Sequence, residues 1–308
     1  MQAALGAPDR TAFFGTPSPR APFPRERGAL ARRGRGDGAM SSRAETRRSL
    51  LDSLYARYNR PEFIAPDPLQ FLAAYPDPLD REIVGLIASS LAYGRVVQIL
   101  RSVRLVLDRM GSPSGFIRRA TPSVLDARFA GFRHRFTDDR DLCALLTGIR
   151  AVVREHGSLE AAFAAGLSPG DATVVPALSR FVEALNGPAG RAGRFLVPSP
   201  DGGSACKRLN LFLRWMVRSD DVDPGGWSCV RASMLVVPLD THMFRTCRAM
   251  GLTDRKSADL KAAIEITRGF ARSAPGDPVK YDFALTRLGI RRELERESFL
   301  ERWTAARA

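Results

Sequence analysis

Residues 200–252 read PDGGSACKRLNLFLRWMVRSDDVDPGGWSCVRASMLVVPLDTHMFRTCRAMGL. Two helix starts of different chemistry stand in this stretch. In the first, the turn Gly202-Gly203-Ser204-Ala205 leads through Cys206 and Lys207 into the apolar spacing of Leu209 to Val217, which predicts a helix over 207–218. A turn of small residues opening a helix exposes backbone amides that can hold a phosphate, and its glycines let the chain come close to it. In the second, the run Met234-Leu235-Val236-Val237 delivers Pro238-Leu239-Asp240 to a helix expected over 241–250 and ended by Gly251. Asp240 stands where a carboxylate caps the amides of the first turn and meets the positive end of the helix dipole.

Outward from this stretch the pattern stays helical. Ile83, Val84, Ile87 and Leu91 fall on one face, Val96, Leu100, Val103 and Leu107 on another, with Tyr93-Gly94-Arg95 at the join. Leu142, Leu145, Leu146, Ile149, Val152 and Val153 form a stripe that stops at His156-Gly157, a cation and a glycine suited to a helix end. Further helices fit 159–165, 173–186, 258–272 and 279–288, the last with Asp277 as cap and Pro278 at its first position. Residues 234–237 are the only strand-like run, and no alternation of strands with helices supports a Rossmann or P-loop reading. The expected fold class is all-α.

A chain of 308 residues can build one large domain or two modest ones. No apolar run approaches the roughly 18–20 residues of a membrane span, so a soluble, cytoplasmic protein is expected. Cys143, Cys206, Cys229 and Cys247 form no C-x-x-C pair, which argues against a zinc ribbon, an iron–sulfur cluster and a disulfide framework, and they read as reduced thiols. The 47 basic residues against 33 acidic ones leave +14, a balance suited to a polyanion such as nucleic acid. Only four of the 47 are lysines, a usage that a GC-rich genome would also produce. Residues 1–47, rich in Gly, Pro, Ala and Arg, are expected to be disordered, and they read as an extended start or one set upstream of Met40.

Lys207 is one of those four lysines, with Lys256, Lys261 and Lys280. Arginine keeps its charge, whereas a partly desolvated lysine can lose its proton and attack through its amine. A different chemistry would use Asp220, Asp221 and Asp223 with His242 or Asp240 as a divalent-metal site, giving a nuclease or phosphohydrolase.

Leu239 to Leu252, LDTHMFRTCRAMGL, resembles the V-D-T-H-V/I-x-R-V-x-x-R signature of the helix-hairpin-helix GPD superfamily of DNA glycosylases, with Asp240, Thr241, His242, Arg245 and Arg248 at matching places. Gly203-Ser204-Ala205-Cys206-Lys207 looks like a degraded G-V-G-x-K hairpin, with Lys207 where bifunctional members keep their Schiff-base lysine. Residues 86–93, LIASSLAY, are similar to the L-I-x-x-x-L-S-x-Q helix, and residues 282–289, DFALTRLG, to the helix that closes the fold. The likeness is to endonuclease III-like and archaeal 8-oxoguanine glycosylases, and over the full length it is nearest to an uncharacterised bacterial branch that carries S-A-C-K-R and P-L-D-T-H. Three features depart from it: 33 positions separate Lys207 from Asp240, Pro198 and Pro200 interrupt the segment of the hairpin's first helix, and no cysteine follows Cys247 to hold an iron–sulfur cluster.

The resemblance implies a two-lobed helical fold with a helix-hairpin-helix element and a cleft between lobes. Residues 80–235 would form the central lobe and 236–308 the C-terminal lobe, with 48–79 as an N-terminal helix packed on the latter. It implies a monomeric base-excision repair enzyme that needs no cofactor and acts on double-stranded DNA carrying a damaged base. Lys207 and Asp240 would be catalytic. Gly202, Gly203, Ser204, Ala205, Arg208, Arg245, Tyr93 and Arg95 would contact DNA, with Arg214 a further phosphate contact. Trp227 and His242 would line the base pocket, and Tyr93 or Trp227 would stack on the extruded base or plug the duplex. A DNA-binding module of the same fold without chemistry is the non-enzymatic alternative.

Overall fold

The computed structural model describes residues 35–189, 193–291 and 293–306. Thirteen α-helices are described among them: α1 Arg35–Tyr58, α2 Pro78–Ser90, α3 Val96–Met110, α4 Pro113–Arg119, α5 Pro122–Phe129, α6 Asp139–His156, α7 Leu159–Ala165, α8 Val175–Asn186, α9 Lys207–Val217, α10 Thr241–Ala249, α11 Leu260–Ala271, α12 Asp282–Arg291 and α13 Glu293–Ala305. The protein is thus predominantly helical. Its described strands are a two-residue antiparallel pair, β1 Arg133–His134 and β2 Thr137–Asp138. No described helix is long and apolar enough to cross a membrane.

Local chemistry accounts for the boundaries. Asp77 caps α2 by accepting from the Leu79 and Asp80 amides, with Pro78 at the first helical position. Asp138 and Asp141 form a reciprocal capping box at the start of α6, and Gly157 closes it at φ 87°. At Gly148, in the middle of α6, a Cβ would stand 2.0 Å from the Leu185 carbonyl oxygen, so the missing side chain sets how closely α6 and α8 approach.

Helix α9 is the axis of the core. Phe212 and Met216 pack on Gly85 of α2, while Leu209, Leu213 and Trp215 are fully buried. Its remaining face is polar. The Arg214 guanidinium donates to Asp223 Oδ1 (2.9 Å from Nη2) and to Asp282 Oδ2 (2.5 Å from Nη1), with all three side chains at most 4% exposed. One turn on, Arg218 bonds Asp220 (2.8 Å), Asp277 (2.9 Å) and Asp223. Burial alone would depress both guanidiniums, but the surrounding carboxylates outweigh it and hold each above its ordinary pKa. Tyr55 of α1 donates to Asp220 at 2.9 Å, and α1 packs on α12 and α13. The network therefore binds α9, the loop after it, α12 and α1 into one body.

The hairpin of β1 and β2 hangs on a buried histidine. His134 Nε2 lies 3.1 Å from the Tyr93 carbonyl and Nδ1 lies 2.9 Å from Ser102 Oγ, a pairing suited to the neutral ring. Burial lowers its pKa below the ordinary 6.5, and the charges of Arg135 and Arg208 oppose protonation further.

Several expectations shift. Residues 35–47, read as disordered, are helical, and the rest of that segment lies outside the described residues. The strand-like run from Met234 forms no ladder but passes from a 3-10 turn, Ala232–Met234, into an extended lead to Asp240. The last predicted helix begins at Asp282 rather than 279, because Asp277 is drawn to Arg218 and residues 277–281 form a turn. The helix-hairpin-helix reading needs a helix before the Gly-rich turn. Residues 193–199 are irregular there, and Pro200–Gly202 is a single 3-10 turn, as prolines at 198 and 200 dictate.

Two outcomes follow for stability. Arg214→Met should cost about 3–5 kcal/mol, because Asp282 is left buried without its cation, whereas disrupting the exposed Arg48–Asp52 pair should cost under about 1 kcal/mol. Denaturant titration checks this, and equal small losses would overturn the role given to the network. For His134, a lowered native pKa means a stabilisation that is complete above 6.5 and is lost as pH falls through the native value. The thermal midpoint should fall between about pH 7 and pH 5, and the fall should be shallower in His134→Asn, as read by calorimetry across that range.

Candidate active site

Lys207 and Asp240, 33 positions apart in the chain, meet in space. Lys207 Nζ lies 3.9 Å from Asp240 Oδ2, and the two side chains are 32% and 35% exposed. Each stands at a helix start. Lys207 is the first residue of α9, whose N-cap Cys206 is left-handed (φ 45°) and offers its first-turn amides no side-chain acceptor. Asp240 is the N-cap of α10 and accepts the Met243 amide at 2.9 Å. Two turns separate Lys207 from Arg214 along α9, so the buried ion pairs fix the rotation of the helix that carries the amine. Asp240 also lies close enough to Asp282 to disfavour its charge, which places the site directly above the network.

The turn before α9 is tied down from two sides. Ser199 caps the 3-10 turn by accepting the Asp201 amide, and Gly203 closes it at φ 78°. Ser204 bridges to Asp259, the Leu260 amide donates to the Gly203 carbonyl at 2.9 Å, and Asn210 Nδ2 donates to the Ala205 carbonyl at 2.9 Å. Gly202, Gly203 and Ser204 face solvent, and Ala205 is buried. His242, at the second residue of α10, and Arg245 are exposed on the helix that Asp240 caps, and Arg95 is exposed at the start of α3.

Other expected site residues are committed elsewhere. Trp227 is buried between Phe163 and Phe212, and its indole nitrogen donates to Glu82 Oε2 at 3.1 Å, so it is a core residue and not a base-pocket wall. Glu82 also accepts the Leu159 and Glu160 amides at the start of α7, which explains why a buried carboxylate sits there. Tyr93, read as a stacking or plugging ring, is half-buried and held from its hydroxyl. Its hydroxyl donates to the His134 carbonyl (2.8 Å) or pairs with Thr137 Oγ1 (2.7 Å), anchoring the hairpin. Arg214, read as a phosphate contact, is buried in the ion-pair network. Arg208 is half-buried between the rings of Tyr93 and Phe195, donating to the Ser90 carbonyl at 2.8 Å and to that of Phe195, so its hydrogen bonds are turned inward.

The metal reading loses its ligands to arginine. Asp220 accepts from Arg218, Tyr55 and the Val222 and Asp223 amides. Burial would raise its pKa, but the Arg218 charge and these donors hold it below the usual carboxylate range. Asp223 is enclosed by Arg214 and Arg218, leaving Asp221 exposed by itself. No cluster of three or more His, Cys, Asp or Glu side chains able to hold a metal occurs among the described residues. All four cysteines are unpaired thiols, and burial pushes Cys143 and Cys229 up to about 12.

Sequence reading missed Phe195, which packs on Tyr93 and Arg208, and Arg135 and Phe136 at the tip of the hairpin that Tyr93 anchors. No turn signature announces the hairpin, because the left-handed position at its tip is filled by Arg135 (φ 56°) rather than by glycine or asparagine.

No curated protein and no solved structure matches the chain. One family does: residues 67–291 match DUF2400, described as a protein of unknown function, and the match takes in the helices that carry both Lys207 and Asp240. Covering well over half of the sequence, it shows that the chain belongs to the DUF2400 family.

Proposed function

We propose that this protein is a DNA base-excision glycosylase that cleaves the N-glycosidic bond of a damaged base, with a lyase step available through Lys207. The observation that carries the proposal is the 3.9 Å approach of the Lys207 amine to the Asp240 carboxylate, both accessible and both at helix starts. A structural ion pair needs no such exposure, and surface pairs of this kind contribute under about 1 kcal/mol.

In the reaction, Asp240 takes a proton from the Lys207 ammonium, freeing the amine. Lys207 Nζ then bonds to C1′ of an extruded nucleotide while the N-glycosidic bond breaks; the base leaves with the bonding pair and takes up the proton from Asp240, which is a carboxylate again. Asp240 faces the positive charge that develops on the sugar. Ring opening, with the proton on the new C1′–N bond passing to O4′, gives an imine; loss of a C2′ proton then expels the 3′-phosphate and cuts the strand, and water hydrolyses the imine to restore the amine. Attack at C1′ by water instead of lysine gives base release alone. The uncapped amides of α9 and the exposed turn 202–204 offer donors to the phosphate beside the lesion. In this reading the middle of the chain supplies Lys207 from one lobe, and the segment from Asp240 onward supplies the carboxylate from the other. The turn 200–206 stands in for the tight turn of a helix-hairpin-helix element.

Borohydride trapping on duplexes carrying an abasic site, 8-oxoguanine, uracil or an oxidised pyrimidine tests the proposal. Wild type should give a covalent adduct on the abasic duplex, Lys207→Gln should give none, and Asp240→Asn should slow base release by about 100-fold or more. Activity should persist in a chelator. An undiminished adduct in Lys207→Gln would remove the lysine from the mechanism, and neither adduct nor base release from any duplex would leave a DNA-binding module.

A further inference from the structure

Two large aromatic side chains stand in solvent: Phe195, 50% exposed, which carries the guanidinium of Arg208, the residue after Lys207 in the chain, and Phe136, 75% exposed. Neither is on a loose segment by itself. Phe136 is at the tip of the hairpin, whose flanking His134 and Thr137 are buried and bonded to Tyr93. The Phe195 ring packs edge-on against Tyr93 at 5.2 Å and receives the Arg208 guanidinium on its face at 4.7 Å. Arg135 lies over Phe136 at 5.2 Å, and its stem covers Gly94 so closely that a Cβ there would be 2.5 Å away. Tyr93 thus meets Phe195 with its ring and holds with its hydroxyl the residues on either side of the Arg135-Phe136 tip.

The exposed side chains of these elements are rich in arginine. Arg95, Arg101, Arg133 and Arg135 are exposed, and none makes an ion pair with a described residue. The nearby carboxylates are turned to backbone: Asp138 and Asp141 cap α6, and Asp139 accepts the Gly131 amide. An apolar patch rimmed by unpaired guanidiniums suits a polyanion with flat apolar faces.

We infer that Phe136 and Phe195, with the arginines around them, form a platform that stacks unpaired bases of DNA next to the Lys207–Asp240 pair. The inference rests on the proposed function in taking DNA as the polymer, and it adds the class of substrate. In an intact duplex the base faces are covered by their neighbours, so an exposed ring gains a partner only where a base is bulged, mismatched or single-stranded. The preferred substrates are therefore lesions in already unpaired or distorted DNA.

Fluorescence anisotropy with fluorescein-labelled oligonucleotides free of any lesion separates this inference from catalysis. The full chain carrying Asp240→Asn is titrated with a perfect duplex, the same duplex with one bulged base, and the single strand, at about 150 mM salt. The unpaired forms should bind about tenfold tighter than the perfect duplex, and Phe136→Ala with Phe195→Ala should bring the three within about twofold while the protein still unfolds in one cooperative transition. Equal affinities in the parent, a preference that survives the double substitution, or no binding to any of the three would overturn the platform. Base release in the borohydride experiment is measured separately, so a platform that fails with glycosylase activity intact is distinguished from a platform that holds without it.

Discussion

The arrangement depends on one buried cation. Arg214 reaches the core on α9 and is held between Asp223, nine residues ahead, and Asp282, sixty-eight residues ahead. Two charges in an apolar interior repay their desolvation only with near-ideal geometry and saturated hydrogen bonding, and Arg218 completes that geometry by binding Asp223 from its other side. A hydrophobic contact tolerates rotation of a helix by some tens of degrees, but a guanidinium fork does not. The network therefore fixes the azimuth of α9, and with it the direction in which Lys207 leaves the first turn.

The same logic explains why neighbouring acids and bases play unlike parts. Asp220 and Asp223 are saturated by arginine and amide donors, whereas Asp240 spends one oxygen on the Met243 amide and leaves the other towards Lys207. Arg208 and Lys207 are adjacent in sequence, yet one is locked between two aromatic rings and two carbonyls while the other stays accessible. Burial and partner count, rather than residue type, separate the saturated groups from the accessible ones.

The helices were legible from the sequence where apolar spacing was regular, as in α6, α7 and α9; Lys207 and Asp240 were singled out through the family resemblance, but residues 33 positions apart gave no sign that the two side chains meet. Spacing could not show that Trp227 lies inside, because a tryptophan after Pro-Gly-Gly looks like a loop tip until Glu82, 145 residues away, is known to receive its N–H. Nor could it show Arg214 as a core residue, since an arginine on an amphipathic helix is ordinarily solvated and its carboxylate partners come from separate elements. The short helices α4 and α5, each opened by a proline, carry too few turns for a period to emerge.

The ties that orient α9 run to parts of the chain made at very different times: Tyr55 reaches Asp220 across 165 positions, and Asp282 follows Arg214 by 68. During synthesis, Lys207 emerges long before the carboxylate that steadies its helix, and such distant contacts form late in folding. A nascent or C-terminally shortened chain would hold the lysine on an unsteadied helix, with its core acid Asp223 relying on Arg218. The Lys207–Asp240 pair therefore rests on a steadied helix only once the polypeptide is nearly finished.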